Sequence, residues 1–170
     1  MKLNLGCGGE IMKGYINCDF VKLPGIDKVI NLEKKLPLKN NSVDEIIIFH
    51  VLEHINNLMQ LMDEFGRVCK PGAKIKIKVP YFRFPGAFEN PNHVRFFTAN
   101  SFNYFNSKEF ENYSKVKFKI DSQKLIFNPR KKFISKIFDF FINLNINKYE
   151  RYFSSIFSAE EIKLVLINEK

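Results

Sequence analysis

Leu3-Asn4-Leu5-Gly6-Cys7-Gly8-Gly9, with Asn17-Cys18-Asp19-Phe20 close behind, is the stretch that decides how this chain folds. The first part reads as a short apolar strand running into a glycine turn. The second reads as another short strand that ends in an acid. Glycine at positions 6 and 8 lets backbone approach a ligand where a Cβ would collide. Asp19 at the strand end offers carboxylate oxygens to a ribose diol. Together these features describe a seat for a nucleoside-type ligand.

The spacing narrows the ligand. Only residues 10–14 lie between Gly9 and Tyr15, room for about one helical turn. A parallel crossover usually takes a dozen or more residues. A dinucleotide site shows Gly-x-Gly-x-x-Gly, an acid about 20 residues further on, and a helix N-terminus for the pyrophosphate. Here the third glycine is misplaced, the acid comes sooner and the helix is missing. A nucleoside cofactor without a pyrophosphate fits better, and S-adenosylmethionine is one.

Outward from this stretch, the chain alternates short strands with turns. Residues 2–5 and 15–20 are the first two strands, and residues 28–31 a short third. Asp44-Glu45-Ile46-Ile47-Ile48-Phe49-His50 is a continuous apolar run, as expected of a strand buried on both faces. Over residues 51–68, Leu52, Ile55, Leu58, Met59, Met62, Phe65 and Val68 recur at helical steps. Lys70-Pro71-Gly72 ends that helix, and Lys-Ile-Lys-Ile-Lys-Val over 74–79 alternates as a strand. Residues 80–92 form an aromatic loop, with Thr98 as the cap of a helix over 99–105. Residues 116–121 and 162–167 are the last strands, and the Phe-rich residues 131–157 between them are helical.

Composition describes one globular domain. The 170 residues are 45% hydrophobic and 26% charged, with 19 Phe and no Trp. No apolar run is long enough to span a bilayer, and the N-terminus lacks the apolar segment of a signal peptide. The expectation is a cytoplasmic protein, with peripheral membrane association left open. The net charge of +9 suits nucleic acid, an anionic lipid surface or an acidic substrate, or is simply dispersed lysine. Cys7, Cys18 and Cys69 read as reduced, buried thiols. Cys7 has no adjacent base to make it a nucleophile.

Several blocks in order now carry a resemblance. Leu5-Gly6-Cys7-Gly8-Gly9, Gly14-Tyr15-Ile16-Asn17-Cys18-Asp19, Leu36-Pro37-Leu38 with Ser42-Val43-Asp44-Glu45-Ile46, Val51-Leu52-Glu53-His54-Ile55 and Arg67-Val68-Cys69-Lys70-Pro71-Gly72-Ala73 resemble the ordered signature of class I S-adenosylmethionine-dependent methyltransferases, in particular a small bacterial and archaeal branch. His93–Thr98 and Tyr149–Phe153 are similar to two further stretches of that branch. The resemblance implies an α/β fold: a Rossmann-like, doubly wound mixed sheet of about seven strands, trimmed at its N-terminus, with the last strand antiparallel. With no internal repeat and no linker, the chain reads as a single domain over residues 1–170 with a Phe-rich helical insert at about 124–158.

The resemblance also implies roles. Gly6, Cys7 and Gly8 would line the methionine part of S-adenosylmethionine. Asp19 would hold the ribose, Phe20 would lie beside the adenine, Asn31 would read its amino group and Leu32 would pack on the ring. His50 would stand near the methyl group. His50 and His93 are the candidate bases, because an unperturbed imidazole titrates near neutral pH. Tyr81 and Arg95 are candidate walls of the acceptor pocket. The acceptor expected is a small molecule or a sugar or lipid precursor. The alternatives are a non-catalytic binding or scaffold protein on the same fold, and an RNA methyltransferase.

Two features stand apart. His50, Glu53 and His54 spell His-x-x-Glu-His, with His93 further on. A related pattern binds a divalent metal in some methyltransferases, but no residue is assigned to a metal, and the cluster is read as structure or substrate contact. In the insert, Phe133, Ile137, Phe140, Phe141 and Leu144 form one stripe, widened by Ile134, Phe138 and Ile142. Lys132, Ser135, Lys136, Asp139 and Asn143 form its polar side. So broad an apolar face is expected to be buried. It would cover the sheet face left bare by the missing helices or make a homodimer contact. A lipid surface, met by Arg130, Lys131 and Lys132, is the third reading.

Overall fold

In the computed structural model the described residues are 1–106, 116–128 and 132–170, the side chains of 132–135 excepted. Seven strands form one mixed sheet: β1 (Lys2–Leu5), β2 (Ile16–Asp19), β3 (Lys28–Val29), β4 (Val43–Phe49), β5 (Cys69–Pro80), β6 (Phe118–Ile126) and β7 (Glu161–Asn168). Their order is β3-β2-β1-β4-β5-β7-β6. Pairing is parallel from β3 through β5, and β7 runs antiparallel to both β5 and β6. The expected α/β architecture with its antiparallel last strand is therefore present.

The short connections read from the sequence are real. Residues 6–15, 20–27 and 30–42 join the first four strands without any helix. The third strand is shorter than expected and stops at Val29, which leaves Asn31 in a loop. The helix read over 51–68 is divided. A 3-10 turn covers Leu52–His54, Ile55 is extended, and α1 covers Leu58–Val68. Asn57 explains the late start, because its side chain accepts a hydrogen bond from Gln60 N and caps the helix. The helix expected over 99–105 is a 3-10 turn at Ser101–Phe105, and Thr98 precedes its start.

Helix α1 buries Leu61, Met62, Phe65 and Val68 against one sheet face, where Leu3, Leu5, Ile46, Ile48, Ile75, Ile77, Leu164 and Leu166 point. The opposite face carries Asn4, Asn17, Glu45, Lys74, Lys76 and Lys163. Lys76 Nζ stands 3.0 Å from Glu45, Tyr15 hydrogen-bonds the same carboxylate, and Lys78 lies over the Phe49 ring. Ile47, Phe49, Val165 and Ile167 share this face by register, so it is mixed rather than purely apolar.

The insert does not cover this face. After a four-residue helix α2 (Gly86–Glu89), the insert forms α3 (Lys132–Leu144) and α4 (Ile146–Tyr152). Helix α3 packs along the edge of β6 rather than over a sheet face. Two residues of its polar side, Asp139 and Asn143, turn inward, while Lys136 is exposed. Asn143 exchanges two hydrogen bonds with the backbone of Leu125, at 2.8 and 2.7 Å, and Asp139 accepts from Phe127 N at 2.7 Å. These side chains satisfy backbone groups of an edge strand that would otherwise be open to pairing. Of the expected apolar stripe, Ile142 is buried while Ile137, Phe140, Phe141 and Leu144 are exposed. Arg130 and Lys131 lie outside the described residues. Among the described residues, no helix is long and apolar enough to cross a membrane.

Candidate nucleoside and acceptor pockets

The turn after β1 is left-handed at both glycines, with φ of 62° at Gly6 and 52° at Gly8. At Gly6 the need for glycine is double, since a Cβ there would meet Val51 Cγ2 at 2.4 Å. Cys7 N donates to Cys18 O at 3.1 Å, extending the β1–β2 ladder by one bond. Gly8 N donates to Asp19 Oδ2 at 2.8 Å. Val21 N donates to Asp19 Oδ1 at 3.1 Å. Asp19 thus ties the turn to the end of β2, and each of its oxygens keeps accepting capacity for a ligand.

Two buried asparagines do the work of the missing first helix. Asn4 Nδ2 donates to Asn17 Oδ1 at 3.0 Å and to Glu10 O at 2.8 Å. Met12 N donates to Asn17 Oδ1 at 2.9 Å. These bonds hold residues 10–12 against the sheet, so the glycine turn has a fixed base. The sequence reading passed over both, although an Asn inside each of two short apolar strands was the available signal.

Beyond this turn lies a cavity of roughly 480 Å³, lined by Gly6, Asp19, Phe20, Asn31, Leu32, His50, His54 and neighbours. That volume is ordinary for a small-molecule site. Six of the expected cofactor residues meet on it. Cys7 and Gly8 are absent from its lining. Cys7 is buried, and burial together with the Asp19 charge raises its thiol pKa, so it stays a neutral small filler. Asn31 Oδ1 accepts from Glu33 N at 2.8 Å, which points its amide to a role as donor as much as acceptor. Phe20 is 67% exposed at the rim.

A second cavity of roughly 470 Å³ adjoins the first and shares His50 and His54 with it. Its other walls include Glu53, Phe84, His93, Glu160 and Glu161. The two expected catalytic histidines therefore border one space. His50 has a left-handed backbone, φ 55°, an uncommon conformation for a bulky residue. Its Nε2 lies 2.9 Å from Glu161 Oε2, and its Nδ1 lies 3.7 Å from Glu53 Oε1. The Glu161 hydrogen bond first, and then Glu53, push its pKa up to about 9. The two carboxylates favour its protonated form, which weighs against the role of base that its unperturbed pKa suggests.

His93 is differently placed. Its Nδ1 lies 2.8 Å from Ala87 O, and its ring meets His54 edge to face at 4.7 Å. His54 Nδ1 lies 3.2 Å from Asn92 O. One donor atom each from Glu53, His54 and His93 lie within 4.8 Å of one another. One divalent cation could draw on all three.

Tyr81 and Arg95 do not line this space. Tyr81 is 0% exposed within the core. Arg95 reaches back to the chain after the 3-10 turn, its Nε donating to Ile55 O at 2.7 Å and its Nη2 to Asn56 O. Glu33 accepts from Asn56 N and Asn57 N on the other side. Arg95 and Glu33 together pin the segment that carries Ile55 into the first cavity.

With this geometry in hand, the chain can be set beside known proteins. Residues 20–77 match a family of methyltransferase domains. No curated protein sequence matches. Among solved structures, an S-adenosylmethionine-dependent methyltransferase from Archaeoglobus fulgidus is 18% identical with a TM-score of 0.59, covering 98% of this chain and 85% of its own. A chain of the complex between the Haloferax volcanii Trm112 methyltransferase activator and its methyltransferase is 13% identical with a TM-score of 0.58, covering 99% and 82%. The [4+2]-cyclase SpnF is 14% identical with a TM-score of 0.60, covering 98% and 73%. The chain thus has the fold of the class I S-adenosylmethionine-dependent methyltransferases and is similar to methyltransferase domains over residues 20–77, and S-adenosylmethionine is the cofactor that this similarity indicates.

Proposed function

We propose that the protein is an S-adenosylmethionine-dependent methyltransferase whose cofactor occupies the first cavity and whose acceptor occupies the second. The observation that carries this is the shared wall: His50 and His54 border both cavities at the end of β4. The residues fit the cofactor. Gly6 presents backbone without a Cβ at the cavity wall. Asp19 would offer two carboxylate oxygens to the ribose, Asn31 and Leu32 would meet the adenine, and Phe20 would flank it from the rim. When bound, S-adenosylmethionine supplies a methyl group activated as a sulfonium.

The chain's own contribution is chiefly alignment, which removes much of the barrier to a bimolecular displacement. His50, held between Glu161 and Glu53, is a fixed positive group at the wall between the cavities. His93, oriented by Ala87 O, is the residue assigned to take the acceptor's proton. Glu53, Glu160 and Glu161 give the acceptor space an acidic lining. That favours a hydroxylated acceptor, such as a sugar or a lipid-linked precursor, over the phosphate backbone of RNA.

Incubation with methyl-labelled S-adenosylmethionine and a panel of hydroxylated acceptors tests the proposal. Label transferred by the parent protein and lost in His93→Ala supports it. The fold also hosts the cyclase SpnF, so a second reading remains specific: a protein that binds the nucleoside without transferring methyl. Saturable S-adenosylmethionine binding with no label moved to any acceptor class supports that reading instead.

A further inference from the structure

Helix α3 shows the solvent a face without charge. Ile137, Phe140, Phe141 and Leu144 are 54–65% exposed, and Phe153 and Ile156 just beyond α4 are 48% and 74% exposed. Soluble proteins rarely leave so continuous an apolar strip uncovered. A groove of roughly 370 Å³ runs beside it, lined by Phe141, Ile142, Leu144, Tyr149, Phe153 and others.

Charge decides what covers it. The segment 132–157 has two acids, Asp139 and Glu150, and both turn inward. Asp139 accepts from Phe127 N, and Glu150 accepts from Ala99 N at 2.9 Å. The cations point out: Lys136, Lys148 and Arg151 are exposed, with Arg151 over the Tyr152 ring. Among the described residues of this segment the exposed charges are positive, and the whole chain carries +9, which disfavours a second copy face to face. The strip complements a surface with an apolar interior and negative head groups.

We propose that α3 and α4 seat the protein on an anionic lipid bilayer, with the exposed face of α3 among the acyl chains and Lys136, Lys148 and Arg151 at the head groups. Asp139 and Asn143 clamp α3 to β6, so the seat is rigid with the sheet. Ile126 at the end of β6 pairs with Glu161, and Glu161 holds His50. The strand that α3 grips thus ends beside a wall residue of the acceptor cavity. The seat itself does not depend on methyl transfer.

Vesicle flotation tests it, using the full chain without cofactor, neutral phosphatidylcholine vesicles and vesicles containing phosphatidylglycerol. The parent protein is expected to float with anionic vesicles and to stay behind with neutral ones. Phe140→Asp with Phe141→Asp, both exposed and so compatible with the fold, is expected to reduce flotation about ten-fold or more, with an unchanged circular dichroism spectrum. Lys148→Glu with Arg151→Glu is expected to weaken it several-fold at low salt. A parent protein that floats with neither vesicle, or equally with both, overturns the proposal. So does a dimer in light scattering that the Phe140→Asp, Phe141→Asp variant dissociates, because a second copy would then be the occupant.

Discussion

Val51 fills the space that a side chain at Gly6 would need: a Cβ built on Gly6 falls 2.4 Å from Val51 Cγ2. The glycine turn and the start of the segment after β4 are therefore shaped by one another. Gly6→Ala is expected to destabilise the protein by about 2–4 kcal/mol, combining left-handed strain with overpacking. Adding Val51→Ala should restore about 1 kcal/mol by relieving the clash while leaving the strain. Urea denaturation of the two single variants and the double variant measures this. Strict additivity of the two losses would show that the contact does not matter.

His50 gives a pH signature. Its folded pKa is raised to about 9 by Glu161 and then Glu53, against about 6.5 unfolded. A raised histidine contributes stability that is fully present below the unfolded value and is lost as pH rises through the folded value. The denaturation midpoint should therefore fall between pH 6.5 and 9. His50→Gln should flatten that fall, and a proton NMR titration of the His50 ring should show its midpoint well above 7. A parent and variant with the same pH slope would contradict the ion-pair account.

The clamp on β6 makes a third prediction. Asn143→Leu leaves Leu125 N–H and C=O without their side-chain partner, and unpaired buried backbone groups cost about 1–3 kcal/mol. The expected result is a loss of that size in urea, with higher light scattering on standing as the β6 edge opens. Asp139→Asn keeps an acceptor for Phe127 N and should lose less than Asn143→Leu.

A fourth concerns Arg95, which holds the segment after the 3-10 turn rather than the acceptor. Arg95→Ala should cost about 1–3 kcal/mol in stability and weaken cofactor binding through Ile55, leaving acceptor KM little changed. A selective rise in acceptor KM would return Arg95 to the acceptor pocket. Stability from urea curves and KM from label transfer separate the two.

The sheet was legible because its signals are local. The Ile46-Ile47-Ile48 run, the alternation over residues 74–79 and the glycine turn each state their own geometry. Gly6 and Asp19 could be read from the turn and the strand end, whereas Phe20, Asn31, Leu32 and His50 came with the family resemblance, and all six meet on one cavity. What the sequence did not show depends on contacts far along the chain. His50 looked like a base until Glu161, 111 residues away, was found at its ring. Tyr81 sits in the aromatic loop and Arg95 just beyond it, positions that suggest a pocket wall, yet one is core and the other ties down Ile55 and Asn56. The insert misled for a physical reason. Periodicity gives the apolar stripe but not which side meets the protein, and here the backbone of an edge strand recruited the polar side.

The central claim is that the Gly6–Gly8 turn and Asp19 seat S-adenosylmethionine, and isothermal titration calorimetry of the cofactor into parent protein and Asp19→Ala tests it most directly. Asp19→Ala removes both the ribose acceptor and the bond from Gly8 N, so the account expects saturable binding by the parent and affinity weaker by about ten-fold or more in the variant, roughly 1.4 kcal/mol per ten-fold. No binding heat from folded parent protein, or identical isotherms for the two, would contradict it.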